Sequence, residues 1–268
     1  METKKLVKVC KTALLEAHKT LTKIGAKGIS EIKDDHVVDI STKGDMAISK
    51  NLINFFKKEK ISAVLYSEES GRIVLGKNPK FTITFDDIDG TNNYYCGRNL
   101  LPYCTVVTIF DSTKPKFKDA LIAGVIEHNS KKIWLAVRNK GCYLNDLKIK
   151  TSGTTNINRR TVVIIDHYAS SNKISKLAKI YPKVWIKDFG SAALHLAGVS
   201  SGMFDAYISS ANKAHELGAG YLLIKEAGGF ITDWSGKLID DKIYNFDNKY
   251  SVITASTEKL GKLLVSKI

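Results

Sequence analysis

Phe81-Thr82-Ile83-Thr84-Phe85-Asp86-Asp87-Ile88-Asp89-Gly90-Thr91 is the stretch on which the reading of this chain turns. Its first five residues are β-branched or aromatic, the composition of a buried strand. They run without a break into Asp86, Asp87 and Asp89, and then into a glycine. A second strand-like run, Ala63-Val64-Leu65-Tyr66, passes in the same way into Ser67-Glu68-Glu69-Ser70. Strand ends are where α/β proteins assemble sites, because loops there carry polar groups that a buried strand excludes. Carboxylates gathered in one place repel unless cations neutralise them. Oxygen donors without a nearby histidine or cysteine favour magnesium, manganese or calcium over zinc. Gly90 allows backbone amides to approach a ligand, and a turn or helix starting at Thr91 would aim them at an anion. Acids for a metal beside amides for a phosphate are what metal-assisted phosphoryl transfer to water requires. Any one of these acids alone reads as a strand cap; the whole string does not.

Outward from this stretch, residues 4 to 24 carry Leu6, Val7, Cys10, Ala13, Leu14, Ala17, Leu21 and Ile24 at helical spacing. That pattern predicts an amphipathic helix. A polar, glycine-bearing loop is expected from Gly25 to about Gly44, then a helix from Asp45 to Phe56 with Ile48, Leu52 and Phe55 inward. Further strands are predicted at 103–110, 119–127, 132–138 and 160–166. The second half alternates: a helix near 191–200, a strand near 204–208, a helix near 216–227, strands near 229–233 and 251–255, and a final helix. Such an order predicts an α/β sandwich of two sheet-containing lobes. The boundary falls in the polar run Thr151-Ser152-Gly153-Thr154-Thr155-Asn156, giving an α+β lobe over 1–152 and an α/β lobe over 153–268.

Composition narrows the class. The chain has 268 residues, 44% hydrophobic and 25% charged, ordinary for a globular protein with a large core. A net charge of +14 raises the local concentration of anions. The lysines are scattered, however, and runs such as Lys57-Lys58-Glu59-Lys60 read as solvated helix faces rather than as a nucleic-acid surface. Cys10, Cys96, Cys104 and Cys142 form no CxxC pair, which argues against a zinc or thioredoxin-like motif and fits a reducing compartment. No apolar run approaches the roughly 18 residues that span a membrane, so a cytoplasmic setting is expected.

Asp86-Asp87-Ile88-Asp89-Gly90-Thr91 resembles the DPIDGT signature of the inositol monophosphatase superfamily, with Asp87 at the proline position. Ser67-Glu68-Glu69 resembles the family's Gly-Glu-Glu, Asp45 fits its earlier aspartate, and Gly190-Ser191-Ala192-Ala193 resembles its GTAA segment. His215-Glu216-Leu217-Gly218-Ala219-Gly220, continuing to Glu226-Ala227-Gly228-Gly229, resembles its WDxAAG…EAGG motif. In the right order, these motifs span residues 39 to 229. The resemblance implies a layered αβαβα sandwich, the sugar-phosphatase fold, and Mg2+-dependent hydrolysis of a small phosphorylated metabolite such as fructose 1,6-bisphosphate or inositol 1-phosphate. It implies that Glu68, Asp86 and the Ile88 carbonyl hold one metal, and that Asp86, Asp89 and Glu216 hold a second. Glu68 and Asp45 would contribute to a third, weaker site. Thr91, hydrogen-bonded towards Asp45, would help activate water, and the Gly90 and Thr91 amides would bind phosphate. Family members are commonly homodimers.

Departures from the family pattern carry their own expectations. Glu216 replaces an aspartate, and one methylene moves the carboxylate by roughly 1.5 Å. The predicted result is a weaker second metal, with Mn2+ able to substitute. His215 replaces a tryptophan and reads as a packed residue, or as a donor to a metal ligand. Ser209 stands where animal enzymes grip inositol with a glutamate, and Lys187 where many members have arginine; both belong to the substrate side. Two rival readings exist. Asp87-Ile88-Asp89-Gly90-Thr91 also spells the DxDGT motif of haloacid-dehalogenase-type phosphatases, with Asp87 as nucleophile and Asp240-Asp241 as its partner acids. The other is a weakly catalytic or nucleic-acid-binding basic protein, for which no nucleic-acid motif is present.

Overall fold

The computed structural model describes residues 3–34, 40–97, 100–166 and 175–268. Helix α1 (Thr3–Ile24) turns Leu6, Cys10, Ala13, Leu14, Ala17 and Leu21 inward, as its periodicity predicts. The expected loop from Gly25 to Gly44 is instead partly regular. It holds a 3-10 turn over Gly25–Ile29 and a hairpin of β1 (Glu31–Asp34) and β2 (Ile40–Thr42). The middle of that loop lies outside the described residues. Helix α2 (Lys43–Lys58) starts two residues earlier than predicted because Thr42 and Asp45 cap it reciprocally. The Thr42 hydroxyl accepts from the Gly44 amide, and the Asp45 carboxylate accepts from the Thr42 amide at 2.8 Å.

Strands β3 (Ala63–Ser67), β4 (Gly71–Leu75), β5 (Phe81–Asp89), β6 (Cys104–Phe110), β7 (Ala120–Glu127), β8 (Ile133–Val137), β9 (Gly141–Leu144) and β10 (Leu147–Ile149) form one eight-stranded sheet. Its order is β10-β9-β8-β7-β6-β5-β3-β4, antiparallel except where β3 runs parallel to β5. The short helix α3 (Thr91–Gly97) follows β5 directly. A five-stranded sheet contains β11 (Val162–Ile165), β12 (Trp185–Lys187), β13 (Ala206–Lys213), β14 (Phe230–Thr232) and β15 (Lys249–Ala255), in the order β12-β11-β13-β15-β14.

Three hydrophobic layers separate these elements. The first lies under α1 and α2 on one face of the large sheet. The second fills the space between the two sheets, where helices α4 (Ala192–Ser200) and α5 (Ala214–Glu226) run. Residues Ala214 to Ile224 of α5 are all buried, as expected of a helix that is apolar all round. The third lies on the far face of the small sheet, beneath α6 (Glu258–Val265). The architecture is therefore a layered αβαβα sandwich. Among the described residues no helix is long and apolar enough to cross a membrane.

β5 does not end at Phe85, as its apolar run suggests, but continues through the acids to Asp89. A register shift against β6 falls between Asp86 and Asp89. Regular alternation would send these two side chains to opposite faces. The irregularity re-aims Asp89 so that it converges with Asp86.

Candidate active site

A cleft of ≈ 340 Å³ opens where β3, β5, α4 and α5 meet, and Glu68, Asp86, Ile88, Asp89, Gly90, Thr91 and Glu216 all line it. Gly90 holds φ +86°, and a Cβ there would lie 3.2 Å from the Gly190 carbonyl oxygen and from the Ser191 Cβ. Only glycine allows both that backbone shape and the close approach of the α4 loop. The Thr91 hydroxyl donates to the Ile88 carbonyl at 2.7 Å. It does not bond Asp45 as the resemblance implied, because Asp45 is engaged by the Thr42 amide and hydroxyl in capping α2.

The acids form two overlapping groups that share Asp86. Ligand atoms of Glu68, Asp86 and His215 lie within 4.8 Å of one another, and so do those of Asp86, Asp89 and Glu216. Asp86 is 1% exposed, and its Oδ1 has no hydrogen-bond partner among the described residues. A buried carboxylate oxygen left in that condition is costly unless a cation meets it. Asp89 is anchored to the start of α4, accepting from the Ser191 hydroxyl at 2.5 Å and the Ala193 amide at 2.8 Å. Glu216 accepts from the Asn212 side chain at 2.9 Å and the Lys213 amide at 3.2 Å, so it caps α5 while facing the cleft. An oxygen-rich, buried and mutually repelling donor set fits divalent ions.

Electrostatics record the crowding. Burial, reinforced by Glu68, Asp89 and Glu216, raises Asp86 well above the carboxylate range. Burial and then the charge of Asp89 raise Glu216, and burial raises Asp89 despite its hydrogen bonds from Ser191 and Ala193. Burial pushes Asp45 up to about 7. Glu68 differs: burial opposes its ionisation, yet His215 and Lys213 hold it down at about 2. Lys213 Nζ sits 2.6 Å from Glu68 Oε1.

Asp87 does not line the cleft. It is buried beside Ser67, whose hydroxyl donates to it at 3.2 Å, and burial followed by the charge of Asp45 raises it well above the carboxylate range. Asp240 and Asp241, the partner acids of the dehalogenase-type reading, bind Tyr221, Lys225 and Lys118 outside the cleft. Two substrate-side expectations are corrected by position. Ser209 is 0% exposed on β13 and does not line the cleft, because the strand's register shift before Asn212 turns Ala211, Asn212 and Lys213 to it instead. Lys187 is exposed on the sheet-edge strand β12, near the Trp185 ring, and also lies off the cleft. Sequence reasoning missed Lys213, Lys249, Asp166 and Asp188, which do line it. Lys213 alone stood near a signal, two residues before the recognised motif that begins at His215.

The sequence profile of the inositol monophosphatase family matches residues 2–268. The chain belongs to the inositol monophosphatase family. It is 30% identical over 257 residues to the bifunctional NADP phosphatase/NAD kinase of Methanococcus maripaludis, a match covering 87% of this chain and 44% of that protein. The chain therefore spans less than half of that relative. It is 29% identical to the fructose-1,6-bisphosphatase/inositol-1-monophosphatase of Methanocaldococcus jannaschii, covering 86% of this chain and 88% of the other. It is 26% identical to the Nus factor SuhB of Xylella fastidiosa, covering 85% and 84%. Among solved structures, the SuhB protein of Bartonella henselae has the same fold, with a TM-score of 0.85 at 20% identity over 98% of each chain. So has an inositol monophosphatase/NADP phosphatase solved with Mg2+ and phosphate, with a TM-score of 0.81 at 16% identity, covering 99% of this chain and 95% of that one.

Proposed function

We propose that this inositol monophosphatase family member is a divalent-metal-dependent phosphomonoesterase for a small phosphorylated metabolite. The observation that carries the reading is the convergence of Glu68, Asp86, Asp89 and Glu216 in one cleft, next to the Gly90–Thr91 turn. Glu68, Asp86 and the Ile88 carbonyl would hold one ion, and Asp86, Asp89 and Glu216 the other. Bound there, Mg2+, or Mn2+ in its place, lowers the pKa of water and neutralises charge on phosphoryl oxygens. The chain's own residues do the rest. Gly90 and Thr91 present amides to the phosphate, and Thr91 with the Ile88 carbonyl fixes the turn that aims them. Lys249 lines the same cleft and supplies positive charge for a second anionic group, while Lys213 is paired with Glu68.

That second charge favours a bisphosphate, with fructose 1,6-bisphosphate the first candidate. The buried Ser209 offers inositol hydroxyls no carboxylate, so a preference for inositol 1-phosphate above roughly a hundredfold is not expected. Three further parts complete the reading: a homodimer, from the family resemblance; a cytoplasmic setting, from the isolated cysteines and the lack of a membrane-length apolar run; and lobes divided near residue 152, from the polar run at 151–156. The test is phosphate release from fructose 1,6-bisphosphate, inositol 1-phosphate and NADP, with EDTA and then with excess Mg2+. Release should vanish in chelator and return with the ion. Full activity in chelator would overturn the reading.

A further inference from the structure

Lys213, His215 and Glu216 are close neighbours at the start of α5, and all three reach the acids of the cleft. His215 is the departure without an assigned role. It is 4% exposed and stacks at an angle on Phe246, with ring centroids 5.2 Å apart. Its Nε2 lies 3.4 Å from Asp86 Oδ2 and 3.5 Å from Glu68 Oε2. A charge-assisted N–H···O bond is shorter, about 2.7–2.9 Å. Two donors bound at about 2.1 Å to one tetrahedral ion are separated by roughly 3.4 Å. Lys213 takes the other oxygen of Glu68, Oε1, and leaves Oε2 on the histidine side. Asp86, which faces the histidine with Oδ2, also has a buried Oδ1 without a hydrogen-bond partner among the described residues.

We propose that His215 is a direct metal ligand in this chain, so that Glu68, Asp86 and His215 form a mixed nitrogen–oxygen site for a first-row transition ion such as cobalt or zinc. The inference rests on the metal-dependent reading given above and deepens it. Imidazole favours such ions over magnesium, whereas an all-carboxylate set suits magnesium or manganese. The second group, Asp86, Asp89 and Glu216, contains no nitrogen donor and remains the magnesium position. Asp86 is common to both groups, so the pair of sites would take two different ions through a shared carboxylate. A tryptophan at position 215 could not provide this, since an indole N–H only donates.

The experiment uses the whole protein and Co2+ and Mn2+ alone as probes. Co2+ titration followed by visible absorption should show an intense low-coordinate spectrum. Pulsed electron paramagnetic resonance of the protein with Mn2+ in excess, so that both groups are filled, should show 14N coupling from a directly bound imidazole. His215→Gln and His215→Trp should each lose about tenfold or more in Co2+ affinity, together with the 14N coupling. Their Mg2+ affinity, read by calorimetry, should stay within about twofold. Wild-type protein without 14N coupling, or variants that bind Co2+ with unchanged affinity and spectrum, would overturn the inference even if phosphate release ran normally on magnesium. The coupling present in a protein that releases no phosphate with any ion would uphold the inference and sink the phosphatase reading instead.

Discussion

Asp86 and Asp87 are adjacent in the chain and opposite in consequence. Asp86 reaches the cleft, and Asp87 turns into the interior against Ser67. Asp87 is buried, raised well above the carboxylate range, and accepts from the Ser67 hydroxyl, a role an amide oxygen can fill, so asparagine is a close substitute for it. Asp87→Asn should keep phosphate release within about threefold of wild type, whereas Asp86→Asn and Asp89→Asn should each lose about 10²–10³-fold. Initial rates at saturating Mg2+ decide the matter. A dead Asp87→Asn with a trappable phospho-aspartate would restore the dehalogenase-type reading. Glu216 has two tasks that one substitution cannot separate and two can. Glu216→Gln keeps an acceptor for Lys213 and Asn212 but gives up the ionised carboxylate. Glu216→Ala gives up both. Both variants should lose activity, and in thermal melts the alanine variant should unfold below the glutamine variant by about 1–3 kcal/mol.

Among the elements, the sandwiched helices α4 and α5 set the tightest tolerance. An alanine methyl at Gly220 would meet Leu196 Cβ at 2.8 Å and its Cδ1 at 2.2 Å. A Cβ cannot swing aside as the end of a side chain can, so α4 and α5 must separate. Gly220→Ala should cost about 1–3 kcal/mol in denaturant or thermal unfolding. Both helices were legible from sequence, because small and apolar residues fill most of their length. The long strands were legible for the same reason. The hairpin β1–β2 and strands β4, β9, β10 and β12 were not, being three to five residues long, too short for an alternation to be read. The cap on α2 was missed because Thr42 lay inside what read as a loop. The acids were found by composition and resemblance, but their convergence depends on the register shift in β5, which no residue pattern announces. Ser209 and Lys187 fail for a related reason. Counting back along a motif fixes sequence distance, and the bulge in β13 and the turn before α4 decide where that distance leads.

At the level of the whole molecule, metal-free stability should depend on pH in an unusual direction. The Asp45 pKa is about 7 when folded, against an ordinary 3.8. Between those values the unfolded chain releases a proton that the folded chain keeps, so stability falls as pH rises through that window. Asp86, Asp87, Asp89 and Glu216 are raised too and act in the same sense. Glu68 acts oppositely, with stability lost only as pH falls from 4.5 towards 2. The apo protein should therefore melt roughly 5–10 °C higher at pH 5 than at pH 8, and excess Mg2+ should erase most of that gap. Calorimetric scans with and without EDTA measure both. The Lys213–Glu68 pair gives this balance a further meaning. An ammonium group standing among the acids is a tethered counterion, available while the chain folds and before any ion arrives from solution. Loading the cleft is then an exchange, in which the incoming ion must displace or share the attention of a resident cation that cannot diffuse away. The protein thereby carries its own placeholder, and the emptied site has a settled arrangement to return to.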